Sequence, residues 1–137
     1  GIGAKMPSFS VPASDGGTIN SNELKGQVTV IMTCATWQYE SINQMRMLKQ
    51  KMKEKGKALK VVGICLDANT DGIKKELAND SVSLRIACDG MMFEGKLVEQ
   101  LGLYKVPGNV VYNKQGHVVE RNLETQELLK KIDDMLK

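Results

Sequence analysis

Residues 28–41 read VTVIMTCATWQYES. The first half, Val28 to Cys34, is a continuous apolar run rich in β-branched residues, the pattern of a central strand covered on both faces. The second half opens a different period. From about Gln38 to Lys55, Ile42, Met45, Leu48 and Met52 recur at spacings of three and four, which predicts one buried helical stripe ended by Gly56. The methionines of this stripe read as core filler, not as a ligand cluster. A buried strand leading straight into an amphipathic helix is the start of an α/β unit. Sites in open sheets of that class gather at the C-terminal ends of the strands, where ATWQYES stands.

Upstream, Pro7 and Pro12 flank an alternating SFSV, Asp15-Gly16-Gly17 supplies turn chemistry and TIN follows, so a short hairpin is expected. SNEL begins a helical turn with Ser21 or Asn22 as the cap and Gly26 as its stop. Downstream, LKVVGICLD is a second buried strand, TDGIKKELAN a short helix led by Thr70 and Asp71, and SLRIACD a third strand. FEGKLVEQLGL fits a helix closed by Gly102, GNVVYN and HVVER two strands joined by KQG, and TQELLKKIDDML a final amphipathic helix. The order β-α-β then β-β-α implies a mixed sheet with helices on both faces, and right-handed crossovers place VTVIMTC beside LKVVGICLD.

The totals narrow the classes of function. With 137 residues, 42% hydrophobic and 26% charged, the chain fits a single folded domain spanning 1–137 with a core that needs no staples. The net charge of +3 owes much to lysines 49, 51, 53, 55 and 57, which spread over more than one helical face. Six aromatic residues are too few, and none interleaves with those lysines, so a nucleic-acid partner is not expected. No apolar run reaches the roughly 20 residues of a membrane span. The chain opens GIGAKMP without an initiator methionine, which is consistent with a processed chain whose leader or anchor lies upstream. Three widely spaced cysteines and one histidine give no metal-ligand spacing, and no cofactor is expected.

Several of these stretches together resemble one family. GAKMPSFSVPASDGGTINSNELKGQVTVIM resembles the opening of the TlpA/ResA-type extracytoplasmic thiol-disulfide oxidoreductases, within the thioredoxin-like superfamily and its wider redoxin and AhpC/TSA-like group. ATW matches that family's FWATWCPPC up to the last shared residue, VVGICLD stands at its next core strand, and LYKVPGNVVYNKQGHVVER is similar to its y.v.g.Pt.flid..G.iv. The likeness covers nearly the whole chain. It implies an α/β thioredoxin-like fold with a central mixed sheet flanked by helices on both faces and an N-terminal β-hairpin. It further implies a cis Val106-Pro107 bond packed against the corner, proline being the residue for which cis costs only about 0.5 to 1 kcal/mol. A trans proline opening a strand is the alternative. An extracytoplasmic location, periplasmic or membrane-anchored, follows from the same resemblance, against which three unpaired-looking cysteines stand in tension.

The departure from the family lies in the corner itself. Its two catalytic cysteines fall on Gln38 and Ser41, in the degenerate run Trp37, Gln38, Tyr39, Glu40, Ser41. The family's chemistry needs a low-pKa thiolate at the helix N-terminus and a second thiol to resolve the mixed disulfide. An amide is no nucleophile, a hydroxyl without an adjacent base is inert, and His117 lies far off in the terminal hairpin, expected on its outer surface. Glu40 suits a helix N-terminus but raises the pKa of any thiol beside it. Ser41 alone would fit a deliberate substitution, whereas Cys34, Gln38, Tyr39 and Glu40 together read as divergence of the whole loop.

Two functions compete. The first is a non-catalytic binding or accessory module that presents Trp37, Gln38, Tyr39, Ser41 and Pro107 to an extended peptide or protein partner, although Trp37 reads equally well as a packing residue. The second is a thiol enzyme, a disulfide reductase or peroxidase, that uses Cys34 alone or the Cys65/Cys88 pair. Cys34 ends the central strand, where a cysteine is usually an inert small hydrophobe. The peroxidatic Pro-x-x-x-Thr-x-x-Cys arrangement is missing around it. Cys65 and Cys88 end strands expected to be neighbours, as two core thiols or as a disulfide.

Overall fold

The computed structural model describes residues 1–77, 84–88 and 95–137. Among these residues run seven strands and four α-helices, in the order β1 (Ser10–Pro12), β2 (Thr18–Asn20), β3 (Val28–Cys34), α1 (Tyr39–Lys55), β4 (Leu59–Cys65), α2 (Asp71–Leu77), β5 (Arg85–Ala87), α3 (Lys96–Leu101), β6 (Asn109–Tyr112), β7 (Val118–Arg121) and α4 (Thr125–Met135). Ala78, Asn79, Ser83, Asp89, Phe93 and Glu94, which the sequence assigns to the ends of α2, β5 and α3, lie outside the described residues.

Five strands form one mixed sheet in the order β5-β4-β3-β6-β7, and β1 pairs antiparallel with β2 in a separate hairpin. β3 is the centre, parallel to β4 and antiparallel to β6, and all seven of its residues are buried. The reason is its two-sided apolar pattern. Val28, Val30, Met32 and Cys34 face a core built with Ile42, Met45 and Leu48 of α1, Ile73 of α2 and Leu128 and Ile132 of α4. Ile31 faces a second core with Leu97, Val98 and Leu101 of α3 and residues of the hairpin. A fully buried side chain of this size contributes about 1.5 to 3 kcal/mol, so the two cores together anchor β3.

Two boundaries differ from the sequence reading. Asn20, not Ser21 or Asn22, caps the 3-10 turn Ser21–Leu24, because its side chain accepts the Asn22 N–H while Glu23 reaches back to the Asn20 N–H. Ser21 is buried instead, its hydroxyl accepting the Phe9 N–H at 3.0 Å. Likewise α1 begins one residue later than expected, at Tyr39, with Gln38 as its cap. The hairpin is tied to β5 by Arg85, whose guanidinium donates to Asp15 and holds that carboxyl below its usual range.

Candidate functional site

Four segments meet at the C-terminal end of β3. They are the strand end with the first turn of α1, the loop after β4, the loop Leu103–Gly108 before β6, and the loop Asn122–Glu124 before α4. Thr33 holds the third to the first: its hydroxyl donates to the Lys105 carbonyl at 2.6 Å and accepts the Gly108 N–H at 2.7 Å. Between those two anchor points the Val106-Pro107 peptide bond is cis. Asp67, in the loop after β4, accepts both the N–H and the hydroxyl of Thr36. α2 then comes so near that a Cβ on Gly72 would sit 2.8 Å from Thr36 Cγ2.

Within this frame Gln38 and Ser41 bond to each other. Gln38 has extended backbone at the head of α1, and its Oε1 accepts the Ser41 N–H at 2.7 Å. That N–H is one of the unpaired donors every helix start offers, the kind that would otherwise stabilise a thiolate. Ser41 is 0% exposed. Its hydroxyl accepts the Ala35 N–H at 3.0 Å and lies 2.7 Å from the Gln38 carbonyl and 3.1 Å from that of Ala35, either of which takes its proton. Ser41 is therefore an internal tie, not part of a presented surface.

Cys34 is likewise enclosed. It is 0% exposed, its thiol donates to the Ile64 carbonyl, and a Cβ on Gly63 would lie 3.4 Å from its sulfur. Burial, then the neighbouring Cys65, Asp67 and Cys88, holds its pKa well above the ordinary thiol range. His117 stands far away beside Lys5, in an antiparallel bridge. Among the described residues no group of three His, Cys, Asp or Glu is placed to hold a metal ion, and no helix is long and apolar enough to cross a membrane.

What the corner offers is surface. Trp37, Tyr39 and Tyr104 are 57%, 74% and 62% exposed, three of the four exposed large hydrophobic residues described. Next to them a cavity of about 260 Å³ is lined by Glu40, Gln44, Lys105, Pro107, Glu124 and Thr125. Glu40, Gln44 and Thr125 of its lining belong to a polar chain that runs inward to Asn109. Asn109 Nδ2 donates to the Leu123 carbonyl at 2.8 Å and to Gln44 Oε1 at 3.2 Å; Gln44 Nε2 donates to the Thr125 hydroxyl at 3.2 Å, and that hydroxyl donates to Glu40 at 3.0 Å. The sequence reading singled out none of Thr33, Gln44, Tyr104, Asn109 and Thr125. Gln44 carried a signal, since it sits three residues after Ser41 on the edge of the apolar stripe, where a polar residue needs a buried partner.

The buried thiols and phenol also set the alkaline limit of the fold. Burial pushes Cys65 up to about 11 and Tyr112 up to about 12, from ordinary values of 9.0 and 10.0. The folded chain thus holds these protons more tightly than the unfolded one. The stability they contribute is complete below the unfolded values and is lost as pH rises through the folded ones. The midpoint of urea unfolding is expected to be level between pH 7 and 8 and to fall steadily from about pH 9 upward. A midpoint that stays level through pH 11 contradicts this.

No curated protein matches the chain in sequence. Solved structures do. The C-terminal domain of a protein described as a thiol-disulfide oxidoreductase from Bacteroides thetaiotaomicron is 29% identical with a TM-score of 0.81, the alignment covering 99% of this chain and 96% of that one. The thioredoxin domain of a thiol-disulfide oxidoreductase from Bacteroides vulgatus superposes with a TM-score of 0.84 at 14% identity, covering 100% and 99%. A secreted disulfide oxidoreductase of Mycobacterium tuberculosis gives 0.77 at 17% identity, covering 92% and 95%. The fold is thioredoxin-like, the central mixed sheet and N-terminal hairpin being those expected from the resemblance. The AhpC/TSA family profile matches residues 2–121, from the N-terminal segment through the corner and the cis-proline loop to the last strand, and the chain belongs to that family.

Proposed function

We propose that this chain is a binding or accessory module, folded as one unit over residues 1–137 and working outside the cytoplasm. It grips an extended peptide or protein segment at the surface formed by Trp37, Tyr39, Tyr104 and Pro107. One observation carries this reading: the two positions that would bear the family's dithiol hold Gln38 and Ser41, hydrogen-bonded to each other at the helix start. With the donor N–H already occupied and the hydroxyl buried, the corner has no nucleophile to offer. The exposed aromatics beside a cavity lined in part by that polar chain are the features that remain. Similarity to a protein described as secreted supports the location. A one-cysteine enzyme at Cys34 is the weaker reading, since that thiol is enclosed on all sides and bonded to a carbonyl.

Trp37 is the only tryptophan, so its fluorescence reports on the surface directly. Peptides selected from a random display library on the immobilised chain are expected to shift that emission. They should lose at least about tenfold in affinity on Tyr104→Ala, because an aromatic that anchors an interface carries more than about 1.4 kcal/mol. Selected peptides that bind without disturbing Trp37, and that tolerate both Trp37→Ala and Tyr104→Ala, would place the binding surface elsewhere.

A further inference from the structure

The thiols missing from the corner stand together at another place. β3, β4 and β5 run parallel and adjacent, and a cysteine lies at the C-terminal end of each. Cys34 and Cys65 are register partners. Ile64 is opposite Ala87, so one residue further on Cys88 comes level with Cys65. Because side chains alternate along a strand, all three sulfurs share the α1 face: Cys34 and Cys65 lie in that core and Cys88 packs against it. Neighbouring strands are about 4.8 Å apart, inside the roughly 4.4 to 6.8 Å between Cα atoms that a disulfide requires.

The two neighbouring pairs are not equivalent. Cys34 is sealed in and its thiol is bonded to Ile64. Cys88 is half-buried, one residue past β5, its N–H donating to the Pro12 carbonyl of the hairpin and its thiol to the Ile86 carbonyl at 3.9 Å. Its side chain is thus the more reachable of the two neighbours of Cys65, and the entry thiol is placed there.

We propose that Cys65 and Cys88 form a thiol-disulfide exchange site separate from the corner, acting on small disulfides. The Cys88 thiolate attacks one sulfur of a disulfide RSSR, forming a mixed disulfide and releasing one RS⁻. The Cys65 thiolate then attacks the Cys88 sulfur and expels the second RS⁻. Two electrons pass from the protein to the small disulfide, and the two thiol protons end on two molecules of RSH. Burial makes Cys65 a poor entry thiol, but its place beside Cys88 lets it resolve the intermediate within the molecule.

The test incubates the native chain with oxidised glutathione near pH 8, about where an ordinary thiol begins to ionise. The products are then alkylated under denaturing conditions and mapped by mass spectrometry. The expected product has lost two hydrogens, contains a Cys65–Cys88 cross-linked peptide and leaves Cys34 to be alkylated only after unfolding. Cys34→Ser should leave the yield of that cross-link unchanged, and Cys65→Ser should halt at a glutathione adduct on Cys88. A lasting adduct on Cys88 in the unsubstituted chain, a cross-link through Cys34, or no reaction overturns the assignment.

Discussion

Asn109→Ala is expected to cost about 3 kcal/mol or more of folding stability, the largest loss for any single polar residue at the corner. The side chain is 1% exposed and bonds in three directions. Its Nδ2 serves the Leu123 carbonyl and Gln44, and its Oδ1 accepts the Leu123 N–H at 3.1 Å. Truncation leaves the buried Gln44 and the half-buried Leu123 backbone groups unpaired, and a fully buried group so orphaned costs about 1 to 3 kcal/mol. Asn109→Asp separates this account from a mere volume effect. The carboxylate keeps the acceptor for Leu123 but loses the donor, so its destabilisation should be large at neutral pH. It should ease on acidification, because burial raises the carboxyl pKa and a protonated acid can donate again. Urea unfolding of the three proteins at pH 5 and 7 decides it. An Asn109→Ala midpoint equal to that of the unsubstituted chain would mean the buried polar chain behind the cavity contributes nothing.

The second large effect is a gain. In a Cys65→Ser/Cys88→Ser background, Gln38→Cys with Ser41→Cys is expected to raise the insulin-reduction rate from background by at least about tenfold. A fall of about one unit in thiol pKa multiplies the thiolate fraction at neutral pH by about ten. The substitution frees the Ser41 N–H, now held by Gln38 Oε1, to stabilise a thiolate at position 38. Glu40 opposes that shift, so adding Glu40→Gln should raise the rate further. Gln38→Cys alone should form mixed disulfides without turnover, having no resolving thiol. If the double variant folds and still shows only background turnover, the corner has lost more than its two sulfurs.

Much of this architecture is legible in the sequence because local pattern and burial agree. Val28 to Cys34 read as a two-sided strand and is one, with all seven residues buried. Ile42, Met45 and Leu48 read as a stripe and do face one core. The site was legible only as a place. Gln38 is not among the residues that usually cap helices, so its role emerges from the Ser41 N–H 2.7 Å away. Asn109 sits inside an apolar strand and Gln44 on a helix 65 residues earlier, and only the pairing of β6 with β3 brings them together. Tyr104 became a candidate through its exposure beside the cis-proline, a property no single-sequence period encodes.

The proposed function requires a corner that presents a surface and carries no thiol chemistry. The most direct measurement is insulin reduction by the Cys65→Ser/Cys88→Ser chain with Gln38 and Ser41 in place, so that Cys34 is the only cysteine left. The account predicts turnover at the level of buffer. Sustained turnover that Cys34→Ser abolishes would contradict it.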